Sequence, residues 1–175
     1  MDLCIMFRQC FNPTVYTLDN TLTLQVMVQT ILEMKWNNVT IVNDNNAHNK
    51  RLGAVLHSRL EKKGICHVSN VSVENSQQMD AVVIGIFHDR INVVVYLGSS
   101  YMAKSLLRTM NKNTDAHKPV VILSGEAVLR SDILYRPDGR FMEEALDTLF
   151  IFSIRHTGCG FHTALEGNIY FPNYP

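Results

Sequence analysis

Apolar residues recur along this chain at two spacings, the helical one near ~3.6 residues and the strand spacing of ~2. Residues 21–35 carry Leu22, Val26, Ile31 and Met34 among polar neighbours, with no Gly or Pro, which predicts an amphipathic helix. Asp19 or Asn20 is placed to cap it. Residues 38–42, β-branched and short, predict a strand that ends in the polar loop 43–49. A second helix is expected over 50–63, with Leu52, Val55, Leu56 and Leu60 on one stripe and Lys62-Lys63-Gly64 as its stop. The alternation then repeats: strand 66–73, helix 76–89, strand 93–97, small-residue loop 98–100, helix 101–111, a turn-rich break at 113–119 and strand 120–123. The runs at 93–97 and 120–123 are continuously apolar, as suits strands covered on both faces.

Strands separated by single helices, in units of roughly 30 residues, predict a three-layer α/β fold with a doubly wound, mostly parallel sheet. In such sheets ligands sit beyond the carboxyl ends of the strands. Those ends are expected at residues 43–49, 98–100 and 124–127. After Arg130 the rhythm loosens: a turn at 135–139, a short helix at 141–146, a strand at 149–153 and the start of a helix at 160–165. The chain closes on Asn-Ile-Tyr-Phe-Pro-Asn-Tyr-Pro, an aromatic ending that reads as cut rather than finished.

Composition narrows the function. Sixteen basic and sixteen acidic residues leave zero formal charge over 175 residues, so the chain lacks the basic footprint of a nucleic-acid binder. Charged residues are 18%, below the usual quarter, which suggests a neutral surface helped by partners or glycans. No run approaches the ~18 apolar residues of a membrane helix, and the start has no basic region of a signal peptide. Cys4, Cys10, Cys66 and Cys159 can be free thiols or two disulfides, and Cys66 falls in a strand pattern that suits the core or a disulfide. Asn38-Val-Thr40 and Asn70-Val-Ser72 are glycosylation sequons, whereas Asn12-Pro-Thr is excluded by its proline.

Motifs for chemistry are sparse. No nucleotide-binding glycine motif or nucleophile elbow is present, and no cofactor is implied. His156, Cys159 and His162 have zinc-like intervals, but a fourth ligand is missing and a turn before a helix is the plainer reading. Glu126, just past the 120–123 strand, can receive a cationic group or simply serve as an acid near a helix start. His48, on the loop after the first strand, can donate or stack, or be a solvated loop histidine.

Trp36-Asn-Asn-Val-Thr-Ile-Val, its polar loop, the following helix and Gly64-Ile-Cys66 resemble the extracellular ligand-binding region of class C G-protein-coupled receptors, closest to the metabotropic glutamate receptors. Val121-Ile-Leu-Ser-Gly-Glu126 resembles that family's strand ending in Gly-Ser-Asp, and Asn168-Ile-Tyr-Phe-Pro-Asn its Asn-Pro-aromatic segment. The resemblance implies a two-lobed "Venus flytrap" of the periplasmic-binding-protein type I fold, of which this chain is mainly the second lobe. It divides the chain into a first-lobe or interlobe remnant at 1–20, the lobe at 21–150 and a crossover strand with a C-terminal segment at 151–175. It assigns ligand-amine contacts by position to Asn20, His48 and Glu126, of which only Glu126 keeps the family's carboxylate. Glutamate itself is therefore not the expected ligand.

The expectation is a non-enzymatic lobe that senses an amino-acid-like ligand together with a missing first lobe. The resemblance further implies a receptor dimer outside the plasma membrane, attached only through segments absent from this chain, and glycans on Asn38 and Asn70. A receptor guanylate cyclase or an ionotropic glutamate receptor shares the fold and the tryptophan. A soluble flavodoxin-like enzyme is the reading from another class, and it needs a phosphate loop that the chain lacks.

Overall fold

The computed structural model describes residues 20–113, 117–124, 149–151, 155–156 and 163–164. Side chains are described from Thr23 to Asn113 and from His117 to Ser124. The elements run α1 (Asn20–Glu33), β1 (Asn38–Asp44), α2 (Ala47–Lys62), β2 (His67–Val73), α3 (Ser76–His88), β3 (Val93–Leu97), α4 (Ser100–Lys112), β4 (Val120–Leu123) and β5 (Leu149–Ile151). The five strands form one sheet in the order β2-β1-β3-β4-β5, parallel at every pairing. A two-stranded antiparallel pair, β6 (Arg155–His156) and β7 (Thr163–Ala164), lies outside that sheet. This is the doubly wound α/β lobe that the alternation of periods predicts.

Side-chain alternation explains the layers. Val39, Ile41, Val93, Val95, Leu97 and Ile122 project to one face, where Leu24, Met27, Ile31, Leu56 and Leu60 of α1 and α2 close over them. Val42, Val94, Tyr96, Val121 and Leu123 project to the other, under α3 and α4. Every residue of β3 is buried, because a strand covered by helices on both faces has no solvent side. The edge strand β2 is different: His67, Ser69, Asn70 and Ser72 are exposed, and polar edges discourage pairing with other chains.

Three helices end alike. At α1, Lys35 N–H donates to the Leu32 carbonyl and Trp36 N–H to that of Ile31. At α2, Gly64 bonds back to Glu61 and Ile65 to Leu60; at α3, Arg90 bonds to Phe87 and Ile91 to Ile86. Each is a Schellman motif, which needs a left-handed residue just past the cap. Lys35 (φ 56°), Gly64 (φ 85°) and Arg90 (φ 50°) supply it. Only α2 uses the residue that adopts this conformation without steric cost.

Several boundaries differ from those read in the sequence. Helix α2 starts at Ala47, not at residue 50, because Asn46 caps it, accepting from the N–H groups of His48 and Asn49. Asn20 is the first residue of α1 rather than a residue before it, and Asp19 lies outside the described residues. Met34 and Val55, expected on buried stripes, are exposed. Cys66 is exposed rather than core and forms no disulfide: it precedes the exposed start of the edge strand β2, and its thiol donates to the Gly64 carbonyl at 3.6 Å. A helix start at 160–165 is not found at Thr163 and Ala164, which pair as a strand with β6. The short helix at 141–146 and the turn at 135–139 lie outside the described residues.

Candidate functional site

In the order β2-β1-β3-β4-β5 the connections leave the sheet in opposite directions from β1 and β3. The crevice opens where they diverge, at the carboxyl ends of those two strands. Asp44 ends β1, and Gly98-Ser99 follow β3. The half-buried Asp44 carboxylate sits between them: Oδ1 accepts from the Tyr96 hydroxyl, and Oδ2 accepts from the Ser99 N–H at 2.7 Å. Tyr96 is fully buried, so its ring is core while its hydroxyl reaches the rim. Gly98 lets this happen, since a Cβ there would fall 2.5 Å from the Asp44 Cγ and 2.6 Å from the Tyr96 hydroxyl.

The neighbouring turns are also tied down. Asn45 N–H donates to the Val73 carbonyl at 2.9 Å, and its side-chain amide donates to Glu74. Glu74 N–H in turn donates to Gln78 Oε1 at 2.8 Å, while Asn75 Oδ1 accepts from the Gln78 N–H, a reciprocal cap on α3. These bonds tie the end of β1, on one side of the crevice, to the β2–α3 turn. Its rim carries the exposed Tyr101, at 72% exposure, in the first turn of α4. Ser99 caps that helix by backbone conformation but without a side-chain hydrogen bond.

The candidate ligand residues fare unequally. His48 lies in the first turn of α2, exposed, beside the β1 end of the crevice, and not on a loop. Asn20 opens α1, with its side chain outside the described set. Glu126 lies outside the described residues, as do Cys159 and His162. Asp44 and Ser99 fall within the strand-end loops expected at 43–49 and 98–100, but their link to each other and to Tyr96 was not read from the sequence. An acid directly after an apolar strand, and a lone tyrosine inside the run Val-Val-Val-Tyr-Leu, were the signals.

A separate groove of about 670 Å³ lies between β2 and α3 toward the amino ends of the strands. Asn38, Cys66, His67, Asp89 and Ile91 line that end, away from the crevice. The crevice, not this groove, is where the topology directs a ligand.

An all-parallel sheet in this order, layered by two helices on each face, defines a lobe of the periplasmic-binding-protein type I kind. Residues 12–166 match the family described as "Receptor family ligand binding region", and the chain belongs to that family. The family is one of ligand-binding rather than catalytic regions and is found in class C receptors, receptor guanylate cyclases and ionotropic glutamate receptors. No curated protein matches the chain. Among the described residues no helix is long and apolar enough to cross a membrane.

Proposed function

We propose that the chain is the second lobe of a class C-like receptor ligand-binding region, similar to those of metabotropic glutamate receptors. It senses an amino acid or related small ligand by closing against a first lobe. Closure is a hinge motion, driven by tighter ligand binding to the closed state than to the open one. In this reading Asn20, His48 and Glu126 contact the ligand, residues 1–20 lead from the first lobe, and the receptor is a dimer outside the plasma membrane. The observation that carries the reading is the crevice at the ends of β1 and β3, with α2 and its His48 on the rim. Gly64-Ile-Cys66 favours the class C form over the cyclase and channel forms.

One lobe supplies half of the contacts, so the isolated chain is expected to bind amino acids weakly or not at all. Isothermal calorimetry against a panel of amino acids tests this, and micromolar glutamate affinity for the 175-residue chain would overturn it. The coding sequence that follows residue 175 separates the receptor classes: seven apolar helices, a cyclase or a channel.

A further inference from the structure

The two ends of the lobe differ in charge. Every strand of the sheet is parallel, so each helix runs back from the carboxyl ends of the strands to their amino ends. Six cations therefore gather at the pole opposite the crevice: Lys35 just past α1, Lys62 and Lys63 at the end of α2, Arg90 just past α3, Lys112 at the end of α4 and Lys118 ahead of β4. All six are exposed, and none forms an ion pair with a described residue. The three described acids of this pole are engaged locally: Glu33 accepts from the Gln29 amide, Glu61 meets His57 at 3.3 Å and Asp89 meets His88 at 2.8 Å. At the crevice end Lys50 and Arg51 are matched in number by Asp44 and Glu74. The zero formal charge of the whole chain conceals this polarity.

Helix carboxyl ends favour cations, which accounts for Lys62 and Lys112 in their last turns. It does not account for Lys118, which lies on no helix, or for the backbone beneath two of the others. Lys35 (φ 56°) and Arg90 (φ 50°) hold the left-handed position that glycine adopts without steric cost, as Gly64 does after α2. That cost exceeds what a helix dipole returns to one exposed cation. Backbone held in this way points to a use for the side chain it carries. The six cations do not converge on a pocket; they end separate helices, set apart by the ~8–10 Å between packed helix axes. A small anion meets one or two of them, whereas a stiff chain with a charge on each unit meets several. Five of the six are lysines, which protein–protein interfaces avoid. Met34 is the one exposed large apolar side chain at this pole among the described residues, so a protein partner finds little to anchor on.

We propose that this pole binds a sulfated glycosaminoglycan, a linear polyanion outside the cell, and that Lys35 and Arg90 occupy left-handed positions for the charge they offer it. The choice of a sulfated polysaccharide among polyanions rests on the extracellular placement in the reading above. Sulfate groups meet the ammonium and guanidinium groups as point charges and displace counterions, as phosphates do on binding proteins to DNA, so affinity falls as salt rises. The crevice lies at the other end of the strands, so a polymer on this pole leaves it open.

The test is surface plasmon resonance of the full 175-residue chain over immobilised heparin, with neutral dextran as the second surface. Retention on heparin that falls with added salt is expected, and none on dextran; no retention on heparin, or equal retention on both, overturns the proposal. Lys35→Gly with Arg90→Gly is expected to weaken heparin binding severalfold while the thermal unfolding midpoint stays equal or rises, so lost binding is not lost folding. Lys62→Gln with Lys63→Gln, at ordinary backbone positions, is expected to weaken it as well. Lys50→Gln with Arg51→Gln removes the same charge at the crevice end and is expected to leave binding unchanged. Absence of a loss from either pole pair, or an equal loss from the crevice pair, overturns the assignment. Tighter binding to phosphatidylserine vesicles or to duplex DNA overturns the choice of polymer. The assay contains no amino-acid ligand, so its failure counts against this inference alone. The receptor reading stands or falls with the calorimetry and the coding sequence that follows residue 175.

Discussion

The Tyr96 hydroxyl donates to the Asp44 carboxylate across the gap between β3 and β1, at the point where the sheet opens to its crevice. The same carboxylate holds the Ser99 N–H, so one side chain joins the end of β1 to the β3–α4 turn. Tyr96→Phe keeps the buried ring and removes only the donor. Hydrogen bonds to charged groups contribute about 1.5–3 kcal/mol, so a loss in that range is expected from urea unfolding. Asp44→Ala is expected to cost as much or more, and the two losses should not add in the double variant, because both remove one interaction. Additive losses would show that the pair is not coupled.

Gly53 and Gly85 are both helical glycines, and alanine is expected to act on them with opposite signs. Alanine in a helix normally gains about 0.5–1 kcal/mol over glycine. At Gly85 the new methyl meets open space, so Gly85→Ala should raise the unfolding midpoint. At Gly53 it would fall 2.8 Å from Asn43 Nδ2 and 2.9 Å from Asn70 Oδ1. Overpacking costs about 1–3 kcal/mol, which outweighs the propensity gain, so Gly53→Ala should lower the midpoint.

The three Schellman ends allow a gain by substitution. Lys35 and Arg90 hold the left-handed conformation at a steric cost of about 1–2 kcal/mol, which glycine does not bear. Glycine's greater freedom in the unfolded chain returns about 0.4–1 kcal/mol of that. Lys35→Gly and Arg90→Gly are therefore each expected to stabilise by about 0.5–1 kcal/mol. Gly64→Ala is expected to destabilise by a comparable amount. Thermal unfolding by circular dichroism measures all three, and a loss at Lys35→Gly would point to contacts of the lysine side chain that outweigh its backbone cost.

Asn46 and Ser99 cap helices on the two sides of the crevice by different means. Asn46 Oδ1 accepts from His48 N–H at 2.8 Å and Asn49 N–H at 3.3 Å. Asn46→Ala should cost about 1 kcal/mol, in the range for a lost side-chain cap. Ser99 makes no such bond, so Ser99→Ala should change stability by less than about 0.5 kcal/mol. Equal losses at the two positions would contradict the difference in geometry.

The sheet was legible because its strands are short apolar runs and its helices carry one apolar stripe each. Val93–Leu97 and Val120–Leu123 were read to the residue. Errors gathered where side chains answer to local backbone geometry rather than to hydrophobicity. The polar run after Val42 looked like one long loop, yet its first two residues extend β1 and its fourth caps α2. Only an asparagine accepting two N–H groups separates those roles, and periodicity does not register it. Val55 fits the helical period but faces outward, since a stripe has edges that a count of positions does not reveal, and Met34 is exposed because α1 ends one residue before it. The link between Asp44 and Tyr96 spans 52 residues, a separation that no local pattern encodes.

The strand order also constrains how the chain assembles as it is made. The first strand pair to be synthesised, β1 with β2, is the outer edge of the sheet, and β2 is half polar. The central strand β3 pairs with β1 across 54 positions, Val39 with Val93, and carries both hydrophobic layers between its faces. Until residue 97 has left the ribosome, Val39, Ile41 and Val42 have neither their inner neighbour nor the far side of the core. Nascent chains halted before β3 are thus expected to stay open to proteolysis and to hold chaperones, and those carrying β4 as well to become resistant. The polar edge strand emerges early, so the first partner offered to β1 is one whose outer side resists pairing with another copy.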